Sequence, residues 1–222
     1  MPVDHALAAI IDHTCLRPDA VPGDIELLCD QARAFRFCTV CVQPVFVAQA
    51  ARTLAGSGVG VAAVVGFPHG ANTTETKLFE ARRAVDDGAT ELDMVANLGW
   101  IRAGEGARLT AETAAVVGAA GAVPVKVILE TALFDEAAIT AAARAVMAAR
   151  PAFLKTSTGF GPGGATVEAV ALLKRVAGNQ AQVKASGGIR TRAQALAMRA
   201  AGADRLGASA SVALVSGADG AP

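Results

Sequence analysis

Eight short runs rich in valine, isoleucine and leucine recur along the chain, one about every 28 residues, and longer alanine-rich stretches with scattered charges separate them. No other feature narrows the fold as far. A run of four to eight apolar residues reads as a strand. The stretches between are long enough for a helix and two short loops. The runs predict strands at Ile11–Leu16, Phe37–Gln43, Val59–Phe67, Glu91–Asn97, Val123–Thr131, Phe153–Thr156, Gln182–Ser186 and Asp204–Ala208. Helices are expected near Gly23–Arg36, Pro44–Ala55, Asn72–Gly88, Arg108–Gly121, Asp135–Ala149, Gly164–Ala177 and Arg190–Ala201, with a last short one from about Ser209. Asn72 with Glu75 three residues on has the form of a capping box. Glycines 88, 121, 178 and 202 stand where C-terminal caps belong. Several strands are apolar throughout, as strands covered on both faces must be. An open doubly wound sheet would satisfy this too. Eight units without a distinct edge strand favour a closed (β/α)₈ barrel, one domain over residues 1–222.

Composition supports the same class and excludes others. The chain is 53% hydrophobic, too apolar for disorder, and its formal net charge is zero, so it exerts no long-range pull on nucleic acid or an acidic membrane. The longest stretch without charged residues, between Arg52 and Glu75, is broken by glycines, Pro68, His69 and Asn72, which argues against a membrane helix. No signal peptide is evident at the N-terminus, and the expected location is the cytoplasm. Cys38 and Cys41 form a C-x-x-C, but inside a predicted strand and without a second ligand pair, so reduced structural thiols are expected. His5, His13 and His69 lack metal-ligand spacing, and no metal is expected.

Alanine, with 52 residues, is the best helix former and small enough to let helices sit close to a barrel. Lysine is the informative residue. The chain has 15 arginines but only 5 lysines, and three of these lie within apolar strands: Lys126, Lys155 and Lys184. Lys77 and Lys174 fall on helices and read as solvated. Burying an ammonium is costly unless it is paired or its pKa falls. One such lysine would be tied to a carboxylate for structural reasons. Three on successive strands, with Asp93 on the strand before, point to chemistry. A lysine that attacks a carbonyl must be neutral, and both burial and a neighbouring ammonium make it so. Lys155 is the best nucleophile, since KTSTG brings it to the top of its strand. Lys184 is its electrostatic neighbour, and Asp93 can hold that neighbour and move protons.

Strand ends in such a barrel carry the site. Those of strands seven and eight carry Gly187-Gly188 and Gly207-Ala208-Ser209, in the loops where this fold recurrently binds phosphate. Ordinary tight turns would look the same. Gly159 to Gly164 matches G-x-G-x-x-G, but lies late in the chain and is followed by Lys184 where a dinucleotide site needs an acid. No G-x-S-x-G elbow occurs. His13 reads equally as a substrate contact or a loop anchor.

The segments DHTCLRP, CVQP, VVGFPHG with NTTETK, ELDMVANLG, KVILET, FLKTSTGFGPGGAT, VKASGGIR and RLGAS together resemble the deoxyribose-phosphate aldolase family over almost the whole length. The resemblance implies a barrel and a class I aldolase with no metal or organic cofactor. Such an enzyme reversibly cleaves 2-deoxy-D-ribose 5-phosphate to acetaldehyde and D-glyceraldehyde 3-phosphate in deoxyribonucleoside catabolism. The family's Schiff-base lysine falls on Lys155 and its proton-transfer pair on Asp93 and Lys184. Lys126 and Asp12 match two further family positions, and Cys41 and Thr158 join them as supporting candidates. Gly159, Gly187, Gly188, Gly207 and Ser209 fall on the phosphate elements. The partners implied are small sugar phosphates and aldehydes, with a monomer or homodimer as the assembly. Phe160 stands where some relatives have lysine, and Ala210 where some have a second serine, which implies a weaker phosphate grip. An aldolase for another acceptor and a non-catalytic sugar-phosphate-binding barrel are the rival readings.

Overall fold

The computed structural model describes residues 3–216. Eight parallel strands close on themselves in chain order: β1 (Ile11–Cys15), β2 (Thr39–Val42), β3 (Gly60–Val65), β4 (Glu91–Val95), β5 (Val125–Ile128), β6 (Phe153–Lys155), β7 (Gln182–Ser186) and β8 (Arg205–Ala208), with β8 pairing back to β1. The predicted (β/α)₈ barrel is the fold. All eight predicted strands are present, most of them trimmed by one to three residues at their ends, where the chain leaves the hydrogen-bonded ladder before its apolar run is over.

The helices are α1 (His5–Ala8), α2 (Pro22–Phe35), α3 (Val47–Thr53), α4 (Thr74–Asp86), α5 (Leu98–Ala103), α6 (Gly106–Ala120), α7 (Glu136–Met147), α8 (Val167–Ala177), α9 (Arg192–Ala200) and α10 (Ser211–Ser216). Two of these, α1 and α5, are not expected from the apolar pattern. Both are short, and both carry a legible cap: the Asp4 side chain accepts the Leu7 N–H, and the Asn97 side chain accepts the Trp100 N–H. Pro44 opens a 3₁₀ turn before α3. The cap of α4 is Thr73, whose hydroxyl accepts the Thr76 N–H; the capping box placed at Asn72 is one residue early. Helix α9 starts at Arg192 instead of Arg190, because Thr191 and Gln194 form a reciprocal capping box there.

Strand alternation separates two interiors. Residues such as Val40, Val61, Ala63, Leu92, Met94, Val127, Leu154, Val183 and Leu206 face outward into one continuous apolar layer shared with the helices. The residues between them point into the barrel. On β2 and β3 these are chiefly apolar, Cys41, Ala62 and Val64, with Leu16 just past β1 and Phe67 packed against them. From β4 round through β8 to β1 the inward face carries the charges Glu91, Asp93, Lys126, Lys155, Lys184, Arg205 and Asp12. The barrel interior is therefore polarised, with an apolar half lowering the local dielectric around an ionic half.

Candidate active site

The register brings the three strand lysines side by side. Asp93 pairs with Lys126 across β4–β5, and Lys155 pairs with Lys184 across β6–β7. Each residue lies on the inward face, and Asp12, Asp93, Lys126 and Lys184 are fully buried, with Lys155 2% exposed. Asp93 holds all three lysines. Its Oδ2 accepts from Lys155 Nζ at 2.6 Å and from Lys184 Nζ at 2.7 Å, while its Oδ1 accepts from Lys126 Nζ at 2.6 Å. Lys184 also donates to Asp12. Beneath them Lys126 reaches Glu91 at 2.6 Å, and Arg205 spans Asp12 at 2.7 Å and Glu91 at 3.1 Å.

Sequence reasoning gives Glu91 and Arg205 no role. A signal exists for both: Glu91 lies two residues before Asp93, and Arg205 two before Gly207, so a period of two places both on the inward face. Glycine at 207 is a packing requirement, since a Cβ there would stand 3.0 Å from Lys184 Cε.

The electrostatics divide the lysines. Burial lowers the pKa of Lys155, and the Lys184 ammonium adds to the effect; Asp93 opposes them but does not prevail. Burial also disfavours a charged Lys184, yet Asp12 and Asp93 together outweigh it and hold its pKa above the ordinary lysine value. Lys126 is likewise raised against burial, chiefly by Asp93. Asp93 resists burial because Lys126, Lys155 and Lys184 surround it, and its pKa lies well below the usual carboxylate range. A charge count agrees. Asp12, Glu91 and Asp93 face Lys126, Lys155, Lys184 and Arg205, and the set is balanced only when one lysine is neutral. Of these three lysines, Lys155 alone has its pKa lowered.

Lys155 and Lys184 open into a cavity of about 320 Å³ at the C-terminal ends of the strands. Thr158, Gly159, Gly187, Gly188, Gly207 and Ser209 line it, so all the expected phosphate-loop residues meet at one mouth. Arg17 and Arg190 also line it, and the sequence reading singles out neither. Ahead of α9 the Gln194 side chain accepts from the Arg190 and Thr191 N–H groups, and the Thr191 hydroxyl accepts from the Gln194 N–H, so these three donors are already engaged. Phe160 is half exposed at the rim and meets Phe67 edge-on, ring centroids 5.4 Å apart.

The two glycine-bearing loops are locked together. Thr156 donates its hydroxyl to the Ser186 carbonyl and accepts the Ser186 N–H, and the Ser186 hydroxyl donates to the Ser157 carbonyl at 2.6 Å. Thr158 donates its N–H and hydroxyl to the buried Glu130 carboxylate. The glycines of this segment have a structural basis: Gly159 takes a left-handed φ of 86°, a Cβ on Gly161 would press on Glu130, one on Gly163 would lie 2.8 Å from Ala132 Cβ, and one on Gly164 would lie 2.2 Å from the Gly187 carbonyl oxygen.

Other candidates are placed elsewhere. His13 points outward, its Nε2 within 2.8 Å of Gln31 Oε1 on α2 and its ring against Phe37, so it anchors a helix and does not reach the cavity. Cys41 faces the barrel interior but is 1% exposed and absent from the cavity wall. All four cysteines are free thiols. The two helix lysines correct the expectation of solvated side chains. Lys77 is fully buried, and Lys174 is half-buried against Asp204. Among the described residues no helix is long and apolar enough to cross a membrane, and no three His, Cys, Asp or Glu side chains converge as a metal-ligand set.

A closed (β/α)₈ barrel whose strand C-termini open into a pocket lined by charged side chains has the architecture of a barrel enzyme. The DeoC/LacD family aldolase model matches residues 6–218, and the chain belongs to that family; it is an aldolase, a carbon–carbon lyase. Deoxyribose-phosphate aldolase 2 of Bacillus licheniformis is 47% identical over 96% of this chain and 96% of its own length. Deoxyribose-phosphate aldolase of Bacillus subtilis is also 47% identical, with 96% of each chain covered. Among solved structures, the tetrameric deoxyribose phosphate aldolase of Aeropyrum pernix superposes with a TM-score of 0.89 at 33% identity, covering 96% of this chain and 90% of that one.

Proposed function

We propose that this aldolase reversibly cleaves 2-deoxy-D-ribose 5-phosphate to acetaldehyde and D-glyceraldehyde 3-phosphate through a Schiff base on Lys155, serving deoxyribonucleoside breakdown. The observation that carries the reading is the sharing of one Asp93 oxygen by Lys155, whose proton affinity is lowered, and Lys184, whose proton affinity is raised.

In the proposed cycle the neutral Lys155 amine adds to C1 of the open-chain sugar. Lys184 gives a proton to the departing hydroxyl, water leaves, and an iminium remains. Asp93, through a water, takes the proton of the C3 hydroxyl. The C2–C3 bond breaks, its electron pair passes into the iminium to give an enamine, and C3 becomes the carbonyl of glyceraldehyde 3-phosphate. Protonation of the enamine carbon and addition of water then release acetaldehyde and restore the amine. Lys126 and Asp12 keep Asp93 and Lys184 ionised. The phosphate sits among Gly187, Gly188, Gly207 and Ser209, with Arg17 and Arg190 supplying local positive charge that the protein as a whole lacks. Cys41 lines the interior beside this machinery and takes no part in proton transfer.

Borohydride added with the substrate is expected to leave a two-carbon adduct on Lys155 and to abolish activity. Lys155→Ala is expected to lose both trapping and acetaldehyde release in a coupled assay. An adduct on another residue, or normal turnover in Lys155→Ala, refutes the assignment.

A further inference from the structure

Lys77 is a fully buried lysine that the proposed cycle does not use. It leaves α4, passes beneath Gly66 at the end of β3, and ends between β4 and α6. Its Nζ donates to the Val95 carbonyl and to Glu112 Oε2, each at 2.9 Å, and the Glu112 side chain is 1% exposed. Burial pushes the Lys77 pKa down, and Glu112 works against that.

The Val95 carbonyl is the informative partner. Pairing of β3 with β4 stops at Val65↔Met94, so this carbonyl lies past the ladder on that side and receives a side chain instead. It belongs to the last residue of β4, two residues after Asp93. The neighbouring strand end is held from the same helix: Glu80 of α4 accepts the Gly66 N–H at 2.7 Å. The stem of Lys77 is pressed against that turn so closely that a Cβ on Gly66 would stand 2.8 Å from Lys77 Cε. The loop then closes over β4, where a Cβ on Gly70 would meet the Ala96 carbonyl oxygen at 2.1 Å.

We infer that Lys77 is a positioning residue for Asp93: its bond to the Val95 carbonyl fixes the end of β4 and with it the carboxylate that Lys155 and Lys184 share. The inference rests on the proposed role of Asp93. A buried ion pair of purely structural purpose would need no third partner on the active-site strand. Here Glu112 supplies the charge that keeps Lys77 protonated, and Val95 is the group being placed.

Three variants separate placement from stability: E112Q, K77M and K77M/E112Q, each assayed for kcat and KM in acetaldehyde release and for Tm. E112Q retains the donor to Val95 and is expected to lower Tm while leaving kcat within about twofold of wild type. K77M/E112Q removes both charges. It is expected to recover Tm relative to K77M but to turn over ~10-fold more slowly than wild type, with KM little changed, as a small displacement of a reacting group does. Wild-type kcat in K77M/E112Q, or kcat that follows Tm through the series, overturns the inference. Should the double variant fail to fold, a large loss of kcat in E112Q overturns it alone. D93N is the control. Full activity there would remove the role assigned to Asp93, whereas an inactive D93N beside a fully active K77M/E112Q would remove only the role assigned to Lys77.

Discussion

Replacing Lys184 by methionine tests whether a neighbouring ammonium keeps Lys155 neutral. The two nitrogens bond to the same Asp93 oxygen, at 2.6 and 2.7 Å, which puts them about 4–5 Å apart. Two unit charges at that separation repel by ~3–4 kcal/mol at an effective dielectric constant near 20. Asp12 sits against Lys184 and cancels much of that field at Lys155, so a net effect of ~1–2 kcal/mol is expected. Its sign is definite. Without Lys184 the Lys155 ammonium loses a repelling neighbour, and Asp93 has one cation fewer to share, so both changes favour the protonated form. At a fixed neutral pH the free amine falls roughly 10-fold. Loss of Lys184 as a proton donor adds a further drop that does not depend on pH. The assay is the pH profile of borohydride trapping at Lys155, read by mass spectrometry, alongside the pH profile of kcat/KM. The acid limb of both is expected to move to higher pH in Lys184→Met, with trapping partly restored by raising the pH. An acid limb that stays in place or moves to lower pH refutes the electrostatic account, even if the variant is slow.

Two other perturbations follow from the placement of individual side chains. Cys41 is 1% exposed and burial pushes its thiol pKa up, so iodoacetamide is expected to modify Cys15 and Cys38 first; yet Cys41 faces the lysines, and an α,β-unsaturated aldehyde held as an imine on Lys155 should add to its sulfur, so that Cys41→Ser resists inactivation by such an aldehyde, while equal inactivation of wild type and variant refutes this. His13 is buried with its pKa lowered by desolvation, so the folded protein binds its proton less readily than the unfolded chain; stability is expected to decline as pH falls below the unfolded histidine value of about 6.5, and to decline less in His13→Gln when urea midpoints are compared at pH 5 and pH 8.

The barrel is legible in the sequence because each strand is a buried apolar run, and the three lysines stand out because nothing else charged interrupts β5, β6 or β7. Boundaries are less legible. Asn72 and Thr73 are both acceptable caps, and only backbone geometry selects Thr73. Lys77 escapes a sequence reading for a physical reason. Its helix is otherwise rich in charge, and a single lysine on such a helix is usually solvated. Its burial depends on Glu112, which is 35 residues away on another helix and carries no local mark of pairing. Arg205 and Glu91 escape it because they occur at the starts of strands, where charged residues usually face solvent. Arg190 follows a glycine turn, and the sequence does not say which way the turn directs it.

The ionic set extends farther than the cavity it serves. From Lys155 at the mouth it passes through Asp93 and Lys126 to Glu91 and Arg205, whose side chains are 14% and 12% exposed at the opposite end of the barrel. In barrels of this type the strand C-termini are usually the catalytic face and the N-termini the stabilising one. That division of labour does not hold along this axis. The Lys155 amine and the solvent beneath the barrel are joined by a continuous chain of ion pairs. Under the proposed mechanism, the underside of the protein is a place from which the nucleophile is tuned without altering anything the substrate touches.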